Sequence, residues 1–407
     1  MKYNPRLNER TARLAGFADL HPLQPEYQVQ GALRLMWHLE EALKAITGMA
    51  GVTLQPAAGA HGELTGILMI QKALETRGEA REEVLVPDSA HGTNPATAVF
   101  AGYQAVEIPS AEDGTVDMDA LDRLMTERVA AVMMTVPNTL GVFEHRILEV
   151  AELVHGRGGF IYLDGANLNA FVGRALAGRM GADAMHINLH KTFSTPHGGG
   201  GPGAGPVAVS DALLPHLPVP RVVKEGDRFR LLWDDSASIG AMRSFYGSFL
   251  VLVRALTYIR SLGADGLREM SDVAVLYANL IRHRLIESYH LKYDSPSMHE
   301  VVFDDSIQAE HDVHNTDIAK RLLDYGFHPP TMSFPLIVHG ALMIEPTESS
   351  PPEEVEVFCD AMLAIAREAE EDPEMVKSAP HDTPVRRVDE VRAARSLKVR
   401  WLPEDDG

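Results

Sequence analysis

The chain has 407 residues, of which 45% are hydrophobic and 23% charged, so it is long enough for one large and one small domain. Its formal net charge of −20 argues against a nucleic-acid partner, because a phosphate backbone requires a basic surface. The single cysteine, Cys359, excludes an internal disulfide and a cysteine-based metal cluster and predicts a cytoplasmic protein. Because no apolar stretch has the length of a membrane span and the N-terminus lacks the apolar core of a signal peptide, we expect no membrane partner.

Two helices are predicted in the first part of the chain. Residues 31–47 place leucine and isoleucine side chains on one stripe, which is typical of an amphipathic helix. The glycine-rich segment AAGAHGE at 57–63 then leads into a second helix. Backbone N–H groups of Gly59 and Ala60 at its start could hold a phosphate, although glycine-rich helix starts are also common without a ligand.

Six short apolar runs follow and alternate with segments of helical character. Strands that are buried on both faces and joined by crossover helices form a mostly parallel sheet with helices on both sides. We therefore expect an α/β fold in which ligands bind beyond the carboxyl ends of the strands, where polar, turn-rich segments occur. The predicted strands lie at 82–88, 104–110, 129–137, 159–165, 184–190 and 205–210.

A composition shift near Tyr293 indicates a smaller α+β unit at the C-terminal end. Its last predicted helix begins with Ser350 as the cap, Pro351 at the first helical position and Glu353 closing a capping box. The whole chain then divides into an N-terminal arm and helix, a large domain, a small C-terminal domain and a tail, at residues 1–50, 51–290, 291–375 and 376–407.

A lysine and an aspartate dominate the predicted chemistry. Lys191 follows an apolar run and precedes four consecutive glycines, and Asp164 ends another apolar run. Such a lysine can carry the aldehyde of pyridoxal phosphate (PLP) as a Schiff base, and such an aspartate can pair with the pyridinium nitrogen. A surface lysine and a turn-forming aspartate are the alternatives. The glycine run favours the PLP site, because it permits close approach of the backbone to a ligand.

Five further residues are candidates for the same site. His91 could stack on the cofactor ring or serve only its own loop, and Asn138 could contact the ring oxygen or a substrate carboxylate or only shape a turn. His190 and Thr192 flank the lysine and could reach the phosphate, and we also count Ala166 among the cofactor-binding residues. No metal site is predicted, because the scattered histidines lack ligand spacing.

Several segments together carry a family resemblance that covers nearly the whole chain. They include LQPAAGAHGELTG, VPDSAHGTNPA, DGANLNA, NLHKTFSTPHGGGGPG and PHDTPVRRVDEVRAAR. With them the sequence resembles subunit 2 of the bacterial two-subunit glycine dehydrogenases (decarboxylating), the P-protein of the glycine cleavage system. The resemblance implies a fold-type I PLP enzyme with a mostly parallel, seven-stranded type of sheet. It also implies Lys191 as the Schiff-base lysine, Asp164 at the ring nitrogen and His91 over the ring.

The same resemblance implies a reaction and partners. The reaction is PLP-dependent decarboxylation of glycine with transfer of the aminomethyl group to the lipoyl arm of H-protein, and the enzyme is an oxidoreductase. This chain would be the catalytic half of a heterotetramer with two copies each of subunits 1 and 2. Family members carry several dozen residues ahead of the position of Met1, so we expect a shortened N-terminal arm. The lysine, aspartate and glycines alone leave open another fold-type I enzyme, such as an amino-acid decarboxylase or a desulfurase, and a non-catalytic scaffold subunit.

Overall fold

The computed structural model describes residues 2–197 and 203–401. Its largest element is a seven-stranded sheet made, in chain order, of β1 (Gly51–Thr53), β2 (Glu83–Pro87), β3 (Gln104–Ile108), β4 (Val129–Thr135), β5 (Phe160–Gly165), β6 (Ala184–Ile187) and β7 (Val207–Val209). The spatial order is β1-β7-β6-β5-β4-β2-β3. The pairs formed among β2 to β6 are parallel, whereas β7 runs antiparallel to both β6 and β1. The mostly parallel seven-stranded sheet is thus confirmed, and each of the six predicted apolar runs contains a strand.

Helices cover both faces of this sheet, because its central strands are apolar on both sides: β4 and β5 are buried almost throughout. The helices of this part are α1 (Arg6–Ala12), α2 (Ala15–Ala18), α3 (Gln30–Thr47), α4 (Gly59–Arg77), α5 (Thr93–Phe100), α6 (Met118–Leu124), α7 (Ile147–Gly156), α8 (Leu189–Thr192) and α9 (Phe249–Leu285). Between β7 and α9 lies a separate hairpin of β8 (Arg221–Glu225) and β9 (Arg228–Leu232). None of the described helices is long and apolar enough to cross a membrane.

The C-terminal part has a second sheet and its own hydrophobic core. The sheet is antiparallel, with the order β10 (Val301–Phe303), β12 (Leu342–Ile344), β11 (Thr331–Met332). Around it lie α10 (Ser306–Ala309), α11 (Asn315–Asp324), α12 (Pro352–Glu371), α13 (Pro373–Lys377) and α14 (Glu390–Arg395). Its core includes Phe303 and Met362 and also Ile281 of α9. Helix α9 therefore serves both cores and is interrupted at Gly263. The predicted domain boundaries remain predictions.

One predicted helix start is wrong. Helix α12 begins at Pro352 with Pro351 as its N-cap, and no described side chain caps its first turn. The residue before a proline is disfavoured in helical geometry, so Pro351 is held extended, with φ −68° and ψ 152°. Ser350 instead belongs to the preceding turn, in which its N–H donates to the Thr347 carbonyl at 3.1 Å.

Candidate active site

A cleft of about 550 Å³ separates the carboxyl ends of β4, β5 and β6 from the C-terminal sheet. This is the edge of the sheet at which the polar loops of the sequence were expected to meet. Of the nine predicted site residues, the structure brings seven to this cleft: Gly59, Ala60, His91, Asp164, Ala166, His190 and Lys191. The other two, Asn138 and Thr192, are not among the described residues that line it.

Lys191 lies in the short helix α8, which follows β6 directly. Its side chain is half-buried, and its backbone N–H donates to the Asn188 carbonyl at 3.1 Å. The next residue fixes this turn from behind: Thr192 Oγ1 accepts the Leu168 N–H at 2.8 Å, and the Thr192 carbonyl accepts from Lys2 Nζ at 3.0 Å. Thr192 therefore anchors the lysine turn, and its contact with a phosphate stays a prediction. The four glycines at 198–201 lie outside the described residues.

Asp164 stands at the end of β5 and is 3% exposed, which makes it the most enclosed carboxylate of the sheet edge that faces the cleft. Its Oδ2 accepts from Asn94 Nδ2 at 3.0 Å, and its Oδ1 accepts the Ala166 N–H at 2.9 Å. His186 Nε2 lies 3.4 Å from the same Oδ1. Ala166 thus contributes to the site through its backbone, by holding Asp164.

These contacts decide the charge of Asp164. Burial opposes ionisation, but His186, Asn94, the Ala166 N–H and Lys191 outweigh it and lower the pKa of Asp164 below its ordinary value. The carboxylate is consequently negative across the physiological pH range. A fixed, buried anion of this kind suits a cationic ring N–H.

The N-terminus of helix α4 provides an anion site on the same side of the cleft. The Gly62 N–H donates to the Ala58 carbonyl at 2.9 Å, so the N–H groups of the residues just before it are left for a ligand. Gly59 and Ala60 line the cleft here, and a Cβ on Gly59 would overlap Asn188 Oδ1. A helix of 19 residues adds its dipole to these donors, so this end can bind a phosphate.

His190 and His91 differ in their surroundings. His190 is 5% exposed, and its ring meets that of His197 with centroids 4.3 Å apart. Burial, followed by His197 and Lys191, lowers the pKa of His190 to about 4, so the ring is neutral near pH 7. His91 is exposed, its Nδ1 lies 2.7 Å from Thr93 Oγ1, and its ring meets the edge of Phe334 at 5.4 Å between centroids.

Asn138 shapes a turn. Its Nδ2 donates to the Gly114 carbonyl at 2.6 Å, and its Oδ1 accepts the N–H groups of Leu140 and Val142 at 3.0 and 3.1 Å. Of the two roles considered for Asn138, the structure thus favours the turn, and the cofactor contact stays a prediction. Its neighbours Pro137 and Thr139 line the cleft instead.

The opposite wall of the cleft was missed by the sequence analysis. It consists of residues from the C-terminal part, chiefly His299, Glu300, Phe334 and Glu345. Burial, together with Glu345, raises the pKa of Glu300 well above its ordinary value, although Lys191 acts in the opposite direction. A signal for Glu345 was present, because it follows β12 as directly as Asp164 ends β5.

Unpartnered polar atoms show that the cleft fits a polar ligand. Within the described part of the chain, these buried atoms of cleft residues have no hydrogen-bond partner: Thr135 Oγ1, Asn169 Oδ1, Asn188 Oδ1, His190 Nδ1 and His299 Nδ1. Leaving such an atom unsatisfied costs about 1–3 kcal/mol, so a cluster of them favours a ligand that supplies donors and acceptors. A half-buried lysine, an ionised aspartate and a helix N-terminus match the aldehyde, ring nitrogen and phosphate of PLP.

Family models match two parts of the chain. Residues 61–220 match the aminotransferase class-V family, and residues 270–387 match the C-terminal domain of glycine dehydrogenase. Among solved structures, a glycine decarboxylase (P-protein) of the glycine cleavage system in inhibitor-bound form superposes with a TM-score of 0.76 at 21% identity, over 89% of this chain and 83% of that one. An apo cysteine desulfurase from Thermococcus onnurineus NA1 gives a TM-score of 0.66 at 14% identity, over 89% and 92%. The fold and the site thus define a fold-type I, PLP-dependent class of protein.

Full-length relatives specify the family. A protein of Chlorobium chlorochromatii (strain CaD3) named probable glycine dehydrogenase (decarboxylating) subunit 2 is 56% identical over 400 residues, which cover 98% of this chain and 83% of that protein. Proteins with the same name from Caldanaerobacter subterraneus subsp. tengcongensis and Bacillus licheniformis are 53% and 54% identical, again over 98% of this chain and 83% of theirs. The chain belongs to the glycine dehydrogenase (decarboxylating) subunit 2 family.

Proposed function

We propose that this chain binds PLP through Lys191, decarboxylates glycine and transfers the aminomethyl group to the lipoyl arm of H-protein. The observation that carries the proposal is the placement of Lys191, Asp164 and the N-terminus of α4 around one cleft in a chain of this family. When bound, PLP supplies a ring that accepts the electron pair left behind by carbon dioxide.

In this proposal the cofactor is held by the wall of the cleft that the strand ends and the N-terminus of α4 form, which we call the sheet wall. The Lys191 amine would hold the aldehyde of the cofactor. Asp164 faces the ring nitrogen and keeps a proton there, since its own pKa is held low. The N–H groups at Gly59 and Ala60 would bind the phosphate, and His91, which also lines the cleft, would lie against the ring. The cleft thereby orients the bond to the carboxylate of glycine for cleavage.

The C-terminal wall limits the access of water. Phe334 and the buried pair His299 and Glu300 line the cleft on this side. A low-dielectric surrounding strengthens the interactions of Lys191 and Asp164 with the cofactor. In the proposed transfer, the aminomethyl carbon would form a bond to one sulfur of the lipoyl disulfide, the sulfur–sulfur bond would break, and the second sulfur would take up a proton and become a thiol.

The proposal includes partners and a compartment. We infer a complex with glycine dehydrogenase subunit 1, with two copies of each chain, and a docking step with lipoylated H-protein. The relatives are named subunit 2, which supports a complex with a subunit 1. A cytoplasmic location agrees with the single cysteine, Cys359, which is buried and free.

The test combines a spectrum with an exchange reaction. The chain is purified together with subunit 1 and PLP, and its visible absorbance is recorded. Labelled bicarbonate is then supplied with glycine, with and without lipoylated H-protein. We expect a coloured complex that incorporates label into glycine in the presence of H-protein. A colourless complex would contradict the assignment of this chain as the PLP-binding subunit, and a coloured one without exchange would indicate another PLP reaction.

A further inference from the structure

Two buried residues that the proposed function leaves unused lie directly behind Asp164. Tyr162 and Asp164 are two residues apart on β5, so their side chains point to the same face of the sheet. His186 is the register partner of Asp164 on the neighbouring strand β6. Tyr162 is fully buried and His186 is 1% exposed. The three side chains therefore form a short row between the interior of the protein and the cleft.

Two close contacts join the three side chains of this row. Tyr162 Oη lies 2.7 Å from His186 Nδ1, and His186 Nε2 lies 3.4 Å from Asp164 Oδ1. Burial, together with Glu63 and Asp164, raises the pKa of Tyr162 well above its ordinary value, so the phenol keeps its proton. When the hydroxyl donates to Nδ1, the imidazole proton lies on Nε2, facing Asp164 Oδ1.

Helix α4 is shaped to admit this row. A Cβ on Gly62 would lie 2.7 Å from the Gly205 carbonyl oxygen and 2.8 Å from the His186 Cβ, and one on Gly66 would overlap the ring of Tyr162. Glycine is disfavoured inside a helix, so its presence at two such places indicates that space is needed there. The sequence GELTG therefore fits α4 to Tyr162 and His186 as well as to the strands.

The second oxygen of Asp164 is fixed from the other side. Asn94 Nδ2 donates to Asp164 Oδ2 at 3.0 Å and to Glu63 Oε2 at 3.2 Å. Glu63 in turn accepts from the hydroxyls of Thr93 and Thr97 at 2.8 and 3.1 Å. The Asp164 carboxylate is thus held between a histidine on one oxygen and an amide on the other.

We propose that Tyr162 and His186 are positioning residues for the reaction, in which Tyr162 fixes the tautomer of His186 and His186 orients the Asp164 carboxylate toward the cofactor ring. This inference rests on the proposed function, since it takes Asp164 as the partner of the ring nitrogen. Tyr162 is not among the described residues that line the cleft, whereas His186 borders it beside Asp164. In this proposal both residues act on the cofactor through Asp164.

A double-mutant cycle on cofactor affinity tests the row in the full-length chain. The dissociation constant of PLP is measured for the wild type, Tyr162→Phe, His186→Gln and the double variant. Tyr162→Phe removes one hydroxyl without changing shape, and we expect it to weaken PLP binding roughly three- to tenfold, the usual range for one hydrogen bond. Because the amide introduced by His186→Gln has no tautomer for the tyrosine to fix, Tyr162→Phe should then change affinity less than about twofold in that background.

Tyr289→Phe is the matched control. Tyr289 is also fully buried, and its hydroxyl donates one hydrogen bond, to the Met362 carbonyl at 2.8 Å, in the core of the C-terminal part. A general loss of stability would affect both phenylalanine variants alike, whereas the proposal expects unchanged PLP affinity in Tyr289→Phe. Equal weakening in the two variants would overturn it.

The tautomer itself provides a readout without activity. In a sample labelled with ¹⁵N-histidine, the signals lost in His186→Gln identify His186, and we expect a protonated Nε2 with an unprotonated Nδ1. Tyr162→Phe should shift this pattern toward a mixture of tautomers. A protonated Nδ1 in the wild type, or a Tyr162→Phe variant with wild-type PLP affinity, would overturn the inference alone. A wild-type chain that binds no PLP would instead overturn the proposed function and, with it, this inference.

Discussion

The two walls of the cleft both carry buried carboxylates, but they hold them in different ways. On the sheet wall, Asp164 is held by Asn94, the Ala166 N–H and His186, and its pKa is lowered. On the C-terminal wall, the Glu300 carboxyl accepts no hydrogen bond from a described residue, His299 Nε2 lies 3.7 Å away, and burial together with Glu345 raises the pKa of Glu300. The sheet wall is thus organised in advance for a permanent cationic group, whereas on the C-terminal wall burial and Glu345 disfavour the ionised form of Glu300.

The largest effect is expected on the sheet wall, at Lys191. Lys191→Ala removes the only group that can bind the aldehyde covalently in our proposal, so we expect loss of the visible absorbance and nearly all turnover. The absorbance spectrum and the H-protein-dependent exchange assay measure both. Lys72→Ala, on the outer face of α4, serves as the control and should keep both properties. Wild-type turnover in Lys191→Ala would remove Lys191 from the mechanism.

A smaller loss is expected from Asp164→Asn. The substitution keeps the shape but removes the charge opposite the ring nitrogen, and electrostatic partners of this kind are worth on the order of 10²–10³-fold in rate. The exchange rate with saturating PLP measures it. If the rate hardly falls, the sheet wall is not organised around a cationic ring, and the difference between the two walls loses its functional meaning.

Much of the sheet wall could be predicted from the sequence, because its signals are local. Asp164 and Lys191 each lie at or just after the end of a strand, so the pattern that predicts them is contained in a few consecutive residues. The parallel topology then brings the two strand ends to one edge of the sheet. The bonds of Asn138 Nδ2 to the Gly114 carbonyl and of Thr192 Oγ1 to the Leu168 N–H were not predictable, since these partners lie 24 residues away.

The C-terminal wall could not be predicted in the same way. Glu300 precedes β10 and Phe334 lies between β11 and β12, so only the docking of the second sheet against the first brings them to the cleft. Tyr162 and His186 illustrate the same limit, because both resemble ordinary members of apolar strands. Their importance follows from the register of β5 on β6 and from the glycines of α4.

The contact between the walls is a third place to test. Gly141 has φ +76°, its carbonyl accepts the Met298 N–H at 2.7 Å, and a Cβ there would overlap the Glu300 carbonyl. We expect Gly141→Ala to reduce the free energy of unfolding by about 3 kcal/mol, from backbone strain and the overlap together. Gly78→Ala is the matched control, because Gly78 has φ +75° with nothing within 4 Å, so only strain, about 1 kcal/mol, should appear. If urea denaturation gave equal decreases in the free energy of unfolding for the two variants, the two walls would not be in close contact at Gly141.

The smallest effect is expected at Glu300 and depends on pH. Because its folded pKa is raised above the ordinary value of 4.5, the stability associated with its protonated form is present below that value and is lost as pH rises toward the folded pKa. One such group changes the free energy of unfolding by at most about 1.4 kcal/mol per pH unit. Glu300→Gln cannot titrate, so we expect it to gain stability relative to the wild type as pH rises through this window.

Denaturation curves of Glu300→Gln and the wild type at several pH values measure this difference, with Glu370→Gln on an exposed position of α12 as the control that should show none. A constant difference at all pH values would mean that Glu300 is ionised in the folded chain, as Asp164 is. Asp164 and Glu300 would then both be negative, and the inference that the protonated form of Glu300 is favoured would be wrong. The stability difference between Glu300→Gln and the wild type could instead widen as pH rises and become smaller when PLP is added. Such a result would show that Glu300 titrates within the cleft, because a ligand bound at the sheet wall would then change the titration of a residue on the opposite wall.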